Sequence, residues 1–491
     1  MGGAVATDFQ AIVVGTGFAA SFFLHRYLAL APPDARVLVL ERGRVNDHRW
    51  QVANGRSSDL SSAESFRHSG MAGKSWRFTL GFGGGSNCWW GNAFRLHPND
   101  FRLRSLYGVG RDWPLSYDDL EPYYQAAEEI MAVSGPPGMA RVLPRTQPFP
   151  QPPHRLSRAE TALQQAWPGL FFPVATARAR LATSGRSACC ANGVCEICPA
   201  DAKFTILNGL MSPYRDPRIT LLLRAEALAV DIGAGRAGGV VYRHEGREMR
   251  ARSDLVVLGA NAIFNAFILQ RSGFRDAMLG RCLHEQLAVT AEAFLDGLDH
   301  FDGSTSVSGL GYMLYDGNHR RHLAACLIET VNVGQLRAEP GRWRQVLPLR
   351  LIIEDLPRPE NRVEAADGER PTAVFEGYSP YALRRLKSLR QDLERVLAPL
   401  PVERLEIAAE PLATEAHIQG TTVMGDDPAD SVVDRDLVHH RVRNLLVLGS
   451  GAFPACSPAH PTLTICALSL RAADRVQGAD PVAVHARRGG S

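Results

Sequence analysis

The sequence predicts an α/β fold in which a dinucleotide-binding domain is joined to a second domain built on an antiparallel sheet and helices. Three observations predict it. The chain opens with a strand, a glycine turn, a helix and a second strand ending in an acid. A denser glycine run follows. Near the C-terminus a short apolar strand leads through further glycines to a helix that begins at a proline. With 491 residues, 45% of them hydrophobic, the chain can bury large cores, and its length suggests two or three domains.

The charge balance is even, with Lys+Arg 54 against Asp+Glu 51. No basic tract stands out, which argues against a nucleic-acid partner. No apolar run is long enough for a membrane span. The start "MGGAVATDFQ" has no basic region followed by an apolar one, so no signal peptide is expected. The nine cysteines do not fit a small secreted scaffold and are expected reduced, in a cytoplasmic protein. Nothing in the sequence sets the oligomeric state.

Ala11-Ile12-Val13-Val14 is the first strand, followed by Gly15-Thr16-Gly17-Phe18-Ala19-Ala20 and a helix through Leu30. The second strand, Arg36 to Leu40, ends at Glu41. Gly15 makes the tight turn, Gly17 lets a pyrophosphate approach the helix N-terminus, and Ala20 is the small third position. Glu41 suits the ribose hydroxyls. Thr16, Phe18 and Arg42 stand beside these residues as further candidate contacts. NAD and FAD both fit at this point.

The second run, Gly81 to Gly91, permits close backbone approach to a flat or charged ligand. Gly83, Gly84, Ser86, Asn87, Cys88 and Trp89 are its candidate contacts. The adjacent Trp89 and Trp90 argue against a fully exposed loop. In "WPLSYDDLEPYY", from Trp113, Ser116 or Asp118 is placed to cap a helix running to Met131.

Together these stretches resemble the glucose–methanol–choline (GMC) flavoprotein oxidoreductases. The first motif resembles that family's FAD pyrophosphate site, and the second its loop on the isoalloxazine ring. "WPLSYDDLEPYY" is similar to the bacterial, sugar-oxidising branch. Ser253 to Ala262 and Pro359 to Val363 resemble later family segments, and His417 through Val476 is the closest match. The resemblance implies FAD in a GMC-type Rossmann-like domain, with Ala227 as a further cofactor contact. It implies a discontinuous FAD domain of residues 1–110, 203–285 and about 430–491. Residues 111–202 and 286–429 form the substrate domain. Strands are expected near Val289 to Phe294 and Leu349 to Ile353, and a basic-faced amphipathic helix over Ser379 to Leu400.

In "HIQGTTVMG" and "VLGSGAFPACSPAHPTLTICAL", Leu445 to Leu448 is a strand. Gly449 and Ser450 begin the turn after it, and Pro461 and Thr462 enter a helix. His460 stands at that helix entrance, where free N–H groups favour negative charge. By resemblance, His417 and His460 face the flavin N5. His417 then takes a hydroxyl proton, His460 holds the substrate oxygen, and hydride passes from the carbinol carbon to N5. The electron acceptor, oxygen or another, is unassigned, with dehydrogenase behaviour expected over strict oxidase behaviour. Two departures stand out. Gly449 replaces a common family acid, although glycine also occurs in the sugar-oxidising branch. Cys88 replaces the histidine that carries covalent flavin in pyranose-oxidising relatives, and a non-reacting thiol is expected there over a thioether.

Cys189, Cys190, Cys195 and Cys198 lie within one short stretch. Adjacent Cys189 and Cys190 suit one metal poorly, so structural thiols are expected over a metal site, a cluster or a redox pair. The tail after Val476 is expected disordered. The leading function is oxidation of an alcohol on a sugar, aminosugar or glycoside. The acids Glu354, Asp355 and Glu360, with Arg358 among them, are too few to identify a cationic substrate. An oxynitrilase-like lyase retaining FAD, oxidation of a non-sugar alcohol, and a flavin-binding protein without catalysis are the alternatives.

Overall fold

The computed structural model describes residues 8–333, 337–366 and 368–479. The residues before Asp8 and the tail from Asp480, on which the signal-peptide and disorder expectations rest, lie outside the described residues.

In the first strand, Asp8–Val14, the apolar run Ala11 to Val14 is buried on both faces, as its unbroken apolar character requires. It pairs in parallel with Val37–Glu41 on one side, Ile12 facing Leu38, and with Arg247–Leu258 on the other, Ile12 facing Val256. Ile219–Leu223 adds outside Val37–Glu41, and Leu445–Val447 adds beyond Arg247–Leu258. The sheet therefore takes strands from both ends of the chain. Two antiparallel strands, Ala225–Gly233 and Arg236–His244, extend it from the first half of Arg247–Leu258. The helix Phe18–Leu30 returns over the sheet against the C-terminal helix Thr462–Val476, and Arg26 pairs with Asp474 there.

A second sheet has six strands. Its order is Val402–Ile407, Leu287–Leu295, Val346–Ile353, Cys326–Val331, Val307–Leu314 and Phe171–Pro173, all antiparallel. The two strand candidates of the sequence are neighbours in it, with Leu349 opposite Ala291. A small third sheet joins Arg67–Gly70 to Thr372–Phe375, so the first chain segment also touches the segment assigned to substrate.

Ser116, and not Asp118, caps the helix Tyr117–Met131. Its hydroxyl accepts from the Asp119 N–H at 3.1 Å, while the Asp119 carboxylate accepts from the Ser116 N–H at 2.8 Å. This helix packs on the C-terminal helix: the Tyr124 and Thr464 hydroxyls meet at 2.9 Å, and Tyr123 donates to Asp474 at 3.0 Å. The helix Pro380–Leu397 starts at Ser379, which accepts from the Ala382 N–H. Its basic residues are not all on the outer face. Arg385 turns inward, donates to the Ala324 carbonyl at 2.7 Å and pairs with Asp392.

The acids weighed for a cationic substrate have other duties. Glu354 and Asp100 close on the buried Arg320 guanidinium at 2.5 and 2.9 Å, with Asp316 at 3.3 Å. Asp355 accepts from the N–H groups of Leu356 and Ser379, and burial pushes its carboxyl up to about 6. Glu360 is exposed beside Arg358. None of the three lines the large cavity described next. No helix among the described residues is long and apolar enough to cross a membrane.

Candidate active site

The cavity lies between the carboxyl ends of the parallel strands and the antiparallel sheet, from which Glu329 and Arg350 project into it. Its empty space, counted out to the open mouth, is about 2070 Å³.

One end is made by the opening motif. Gly15 has φ +93°, and a Cβ there would sit 2.6 Å from the Gly259 carbonyl oxygen. Only glycine fits such a position. Gly17 begins the helix without a side-chain cap, so its first-turn N–H groups are left for an anion. The Thr16 hydroxyl donates to Glu41 at 2.6 Å and accepts from the Gly83 N–H at 3.0 Å, which locks the two glycine loops together. Glu41 also accepts from the Gly43 N–H. Burial pushes its carboxyl up, against the pull of these hydrogen bonds. Phe18, Arg42 and Ala227 line the same end. Arg42 lies 3.4 Å from Glu226 and over the Phe264 ring. Ala20 does not reach the cavity. It packs under Gly259, where an added Cβ would come within 3.1 Å of the alanine methyl. These features fit a dinucleotide: a cradle a Cβ would fill, free N–H groups and a buried acid.

In the second loop Gly84, Cys88 and Trp89 line the cavity, with Gly85 and Trp90. Gly83, Ser86 and Asn87 stand behind them and shape the loop. Ser86 donates to the Gly83 carbonyl and accepts from the Ile206 N–H, and Asn87 donates to the Phe82 carbonyl. Lys203 supports the loop from below by donating to the Asn87 and Trp89 carbonyls at 3.0 and 2.8 Å. Burial pushes its ammonium down to about 8. The sequence offered no sign of this duty, because Lys203 acts across a long separation on backbone oxygens. Cys195 and Cys198 are buried and Cys190 is exposed. The Cys195 and Cys198 sulfurs accept backbone N–H groups from Ser306 and Ala202.

At the far end stand His417 and His460, their ring centres 4.4 Å apart. Gly449, with φ +102°, and Ser450 turn the chain beside them. Ser450 donates to the Ile418 carbonyl, next to His417. Pro461 and Thr462 begin the last helix at the cavity wall, again with no side-chain cap. Burial drives the His417 ring well below the ordinary histidine value, and the charges of His460 and Arg350 add to this. His460 Nε2 stands 3.1 Å from Glu329, which also accepts from Asn92. Burial would raise the Glu329 carboxyl, but His460, Arg350 and Arg178 outweigh it and hold it low.

The mount of His417 is a feature that sequence reasoning passes over. His284, Glu285 and Gln286 are three fully buried polar residues between Leu283 and Leu287. Glu285 pairs with Lys74 and accepts from the N–H groups of Glu415 and His417, both at 3.2 Å. Gln286 lies 3.2 Å from His417 Nδ1. The only available signal was the polar triplet itself, set at the start of an apolar strand. Arg350 lies over the Trp90 ring and 3.1 Å from Glu415, whose carboxyl is pushed up to about 7 by burial, against the pull of Arg350.

Two models described as GMC oxidoreductase match residues 9–288 and 381–469. The fructose dehydrogenase large subunit of Gluconobacter japonicus is 29% identical, over 81% of this chain and 80% of that protein. Paromamine 6'-oxidase of Streptomyces fradiae is 28% identical, over 95% of this chain and 91% of its own length. The crystal structure of pyridoxine 4-oxidase from Mesorbium loti shares the fold with TM-score 0.68 at 19% identity. It covers 96% of this chain and 100% of that one.

Proposed function

Because the chain belongs to the GMC oxidoreductase family and is an FAD-dependent oxidoreductase, we propose that it oxidises a hydroxyl group of a sugar, aminosugar or glycoside to the carbonyl. One observation carries the reading: the paired imidazoles of His417 and His460 open into the same cavity as the dinucleotide cradle. Bound FAD supplies the two-electron acceptor for the hydrogen on the carbinol carbon. Gly15 to Phe18, Glu41, Gly84 and the start of the helix at Thr462 are the residues that would hold it.

The protein groups manage the proton and the oxygen. His417 is neutral at physiological pH, since its ring protonates only well below the usual range, and it accepts the hydroxyl proton. His460, backed by the Glu329 carboxylate, holds the substrate oxygen. Glu329 Oε2 is buried at this end without a hydrogen bond from the described residues, while Arg350 Nε and Glu415 Oε1 face each other at 3.1 Å. An unmatched buried carboxylate oxygen suits a ligand that brings a hydroxyl. The fructose dehydrogenase and paromamine 6'-oxidase relatives support the same class. The division of labour we propose follows the two sheets. Segments 1–110, 203–285 and 430–491 hold the cofactor, and segments 111–202 and 286–429 roof the substrate.

The test is an anaerobic screen of aldoses, aminosugars, glycosides, inositols and simple alcohols, read by bleaching of the visible flavin band. Bleaching by sugar-like alcohols is expected. Bleaching only by apolar alcohols would overturn the substrate class, and turnover with the band unchanged would overturn oxidation. Slow colour recovery in air is expected, as dehydrogenase behaviour requires.

A further inference from the structure

We propose that Gln286 is the positioning residue that fixes the tautomer of His417, holding its proton on Nδ1 and leaving the Nε2 lone pair to receive the substrate proton. A glutamine amide has one accepting and one donating end, and its surroundings decide which is which. The nitrogen end of Gln286 lies 2.8 Å from the Ser457 carbonyl and 3.0 Å from the Ala459 carbonyl. Carbonyls only accept, so both require the NH2 group there. The oxygen end is then the one at 3.2 Å from His417 Nδ1. That oxygen also only accepts, so Nδ1 must carry a hydrogen.

Burial, His460 and Arg350 keep the ring neutral, so it has a single N–H, and Gln286 claims it. Nε2 makes no hydrogen bond with the described residues. Gln286 cannot easily exchange its two ends. It is fully buried, and a flipped amide would set NH2 against Nδ1 and its oxygen against two carbonyls. The same side chain grips the Ala459 carbonyl, one residue before His460. One amide thus sets the tautomer of the first ring and the backbone that presents the second.

The consequence for catalysis rests on the reading of His417 as the proton acceptor. The test reads the ring itself and needs no substrate, so the two ideas fail separately. Flavin-loaded protein labelled with 15N-histidine is observed by NMR, and the His417 ring signals are identified by their loss in His417→Asn. Wild type is expected to show hydrogen on Nδ1 and a bare Nε2 across the neutral range. Gln286→Leu is expected to move hydrogen to Nε2 in part or fully. Gln286→Glu keeps an acceptor, so it is expected to keep the Nδ1 hydrogen and to raise the pH at which the ring protonates. Hydrogen on Nε2 in wild type, or an unchanged tautomer in folded, flavin-loaded Gln286→Leu, overturns the proposal. Should Gln286→Leu not fold, Gln286→Glu decides: hydrogen on Nε2, or no rise in ring protonation, overturns it equally.

Discussion

The imidazoles of His417 and His460 sit 4.4 Å apart, ring centre to ring centre, and only one of them is backed by a carboxylate. Glu329 faces His460, while His417 faces the neutral amide of Gln286. A proton on one ring opposes a proton on the other, so the pair has a built-in asymmetry. His417 is the ring held neutral, and His460 is the ring whose protonated form has a counter-charge.

Replacing His417 by Ala is expected to slow anaerobic flavin reduction by at least about 100-fold, the lower scale of general-base catalysis. The flavin should stay bound. In wild type the rate should be flat through neutral pH and fall only well below the ordinary histidine value, because the folded ring resists protonation. Stopped-flow reduction across pH measures both; an unchanged rate in the variant removes His417 as the base.

Glu415 gives a stability prediction whose sign follows from its raised carboxyl. In the unfolded chain it ionises near 4.5, and in the folded protein near 7. Its contribution is therefore fully present below the unfolded value, is lost as pH rises between the two, and is flat above the folded value. The full loss is on the order of 3 kcal/mol, from about 1.36 kcal/mol per unit. Glu415→Gln should flatten this part of the profile, as read by urea unfolding at several pH values.

Gly15→Ala should lose the cofactor. Its φ of +93° is strained for alanine, and the methyl would meet the Gly259 carbonyl at 2.6 Å. The purified variant is expected pale, with little flavin absorbance per chain. Normal flavin content would contradict the placement of Gly15 in the cradle.

Arg320 balances Asp100, Asp316 and Glu354 with no exposure of its own side chain. Arg320→Leu leaves two buried carboxylates without their cation, and should cost about 3–5 kcal/mol. Glu354→Gln should cost less, since Arg320 keeps Asp100. Chemical denaturation of the two variants measures the difference.

Cys88 lines the cavity with its sulfur 3.6 Å from the Gly85 carbonyl. Acid precipitation should release all the flavin to the supernatant. A yellow precipitate would reveal a covalent bond to the chain.

The glycine end of the cavity was legible because its signal is local: Gly15, Gly17 and Glu41 follow a strand–turn–helix–strand pattern. The C-terminal strand and the helix after Pro461 were legible for the same reason. The mount of His417 was not. Glu285, Gln286 and Lys74 act through contacts between distant segments, and only the polar triplet His284 to Gln286 before an apolar strand hints at them. Glu354 and Asp355 were too few to identify a cationic substrate, and nothing in their spacing shows that a buried Arg320 and the helix start at Ser379 claim them. Arg385 hid likewise, its place on a basic helix giving no sign that it turns inward.

The parallel sheet places Leu445–Val447 beside Arg247–Leu258, and the helix Thr462–Val476 lies against Phe18–Leu30. A ribosome delivers the N-terminus first. The growing chain thus carries only part of the cavity wall until the segment from Leu445 emerges. Cofactor capture is expected only once that segment is made, and a chain cut short before Leu445 should forfeit flavin along with activity.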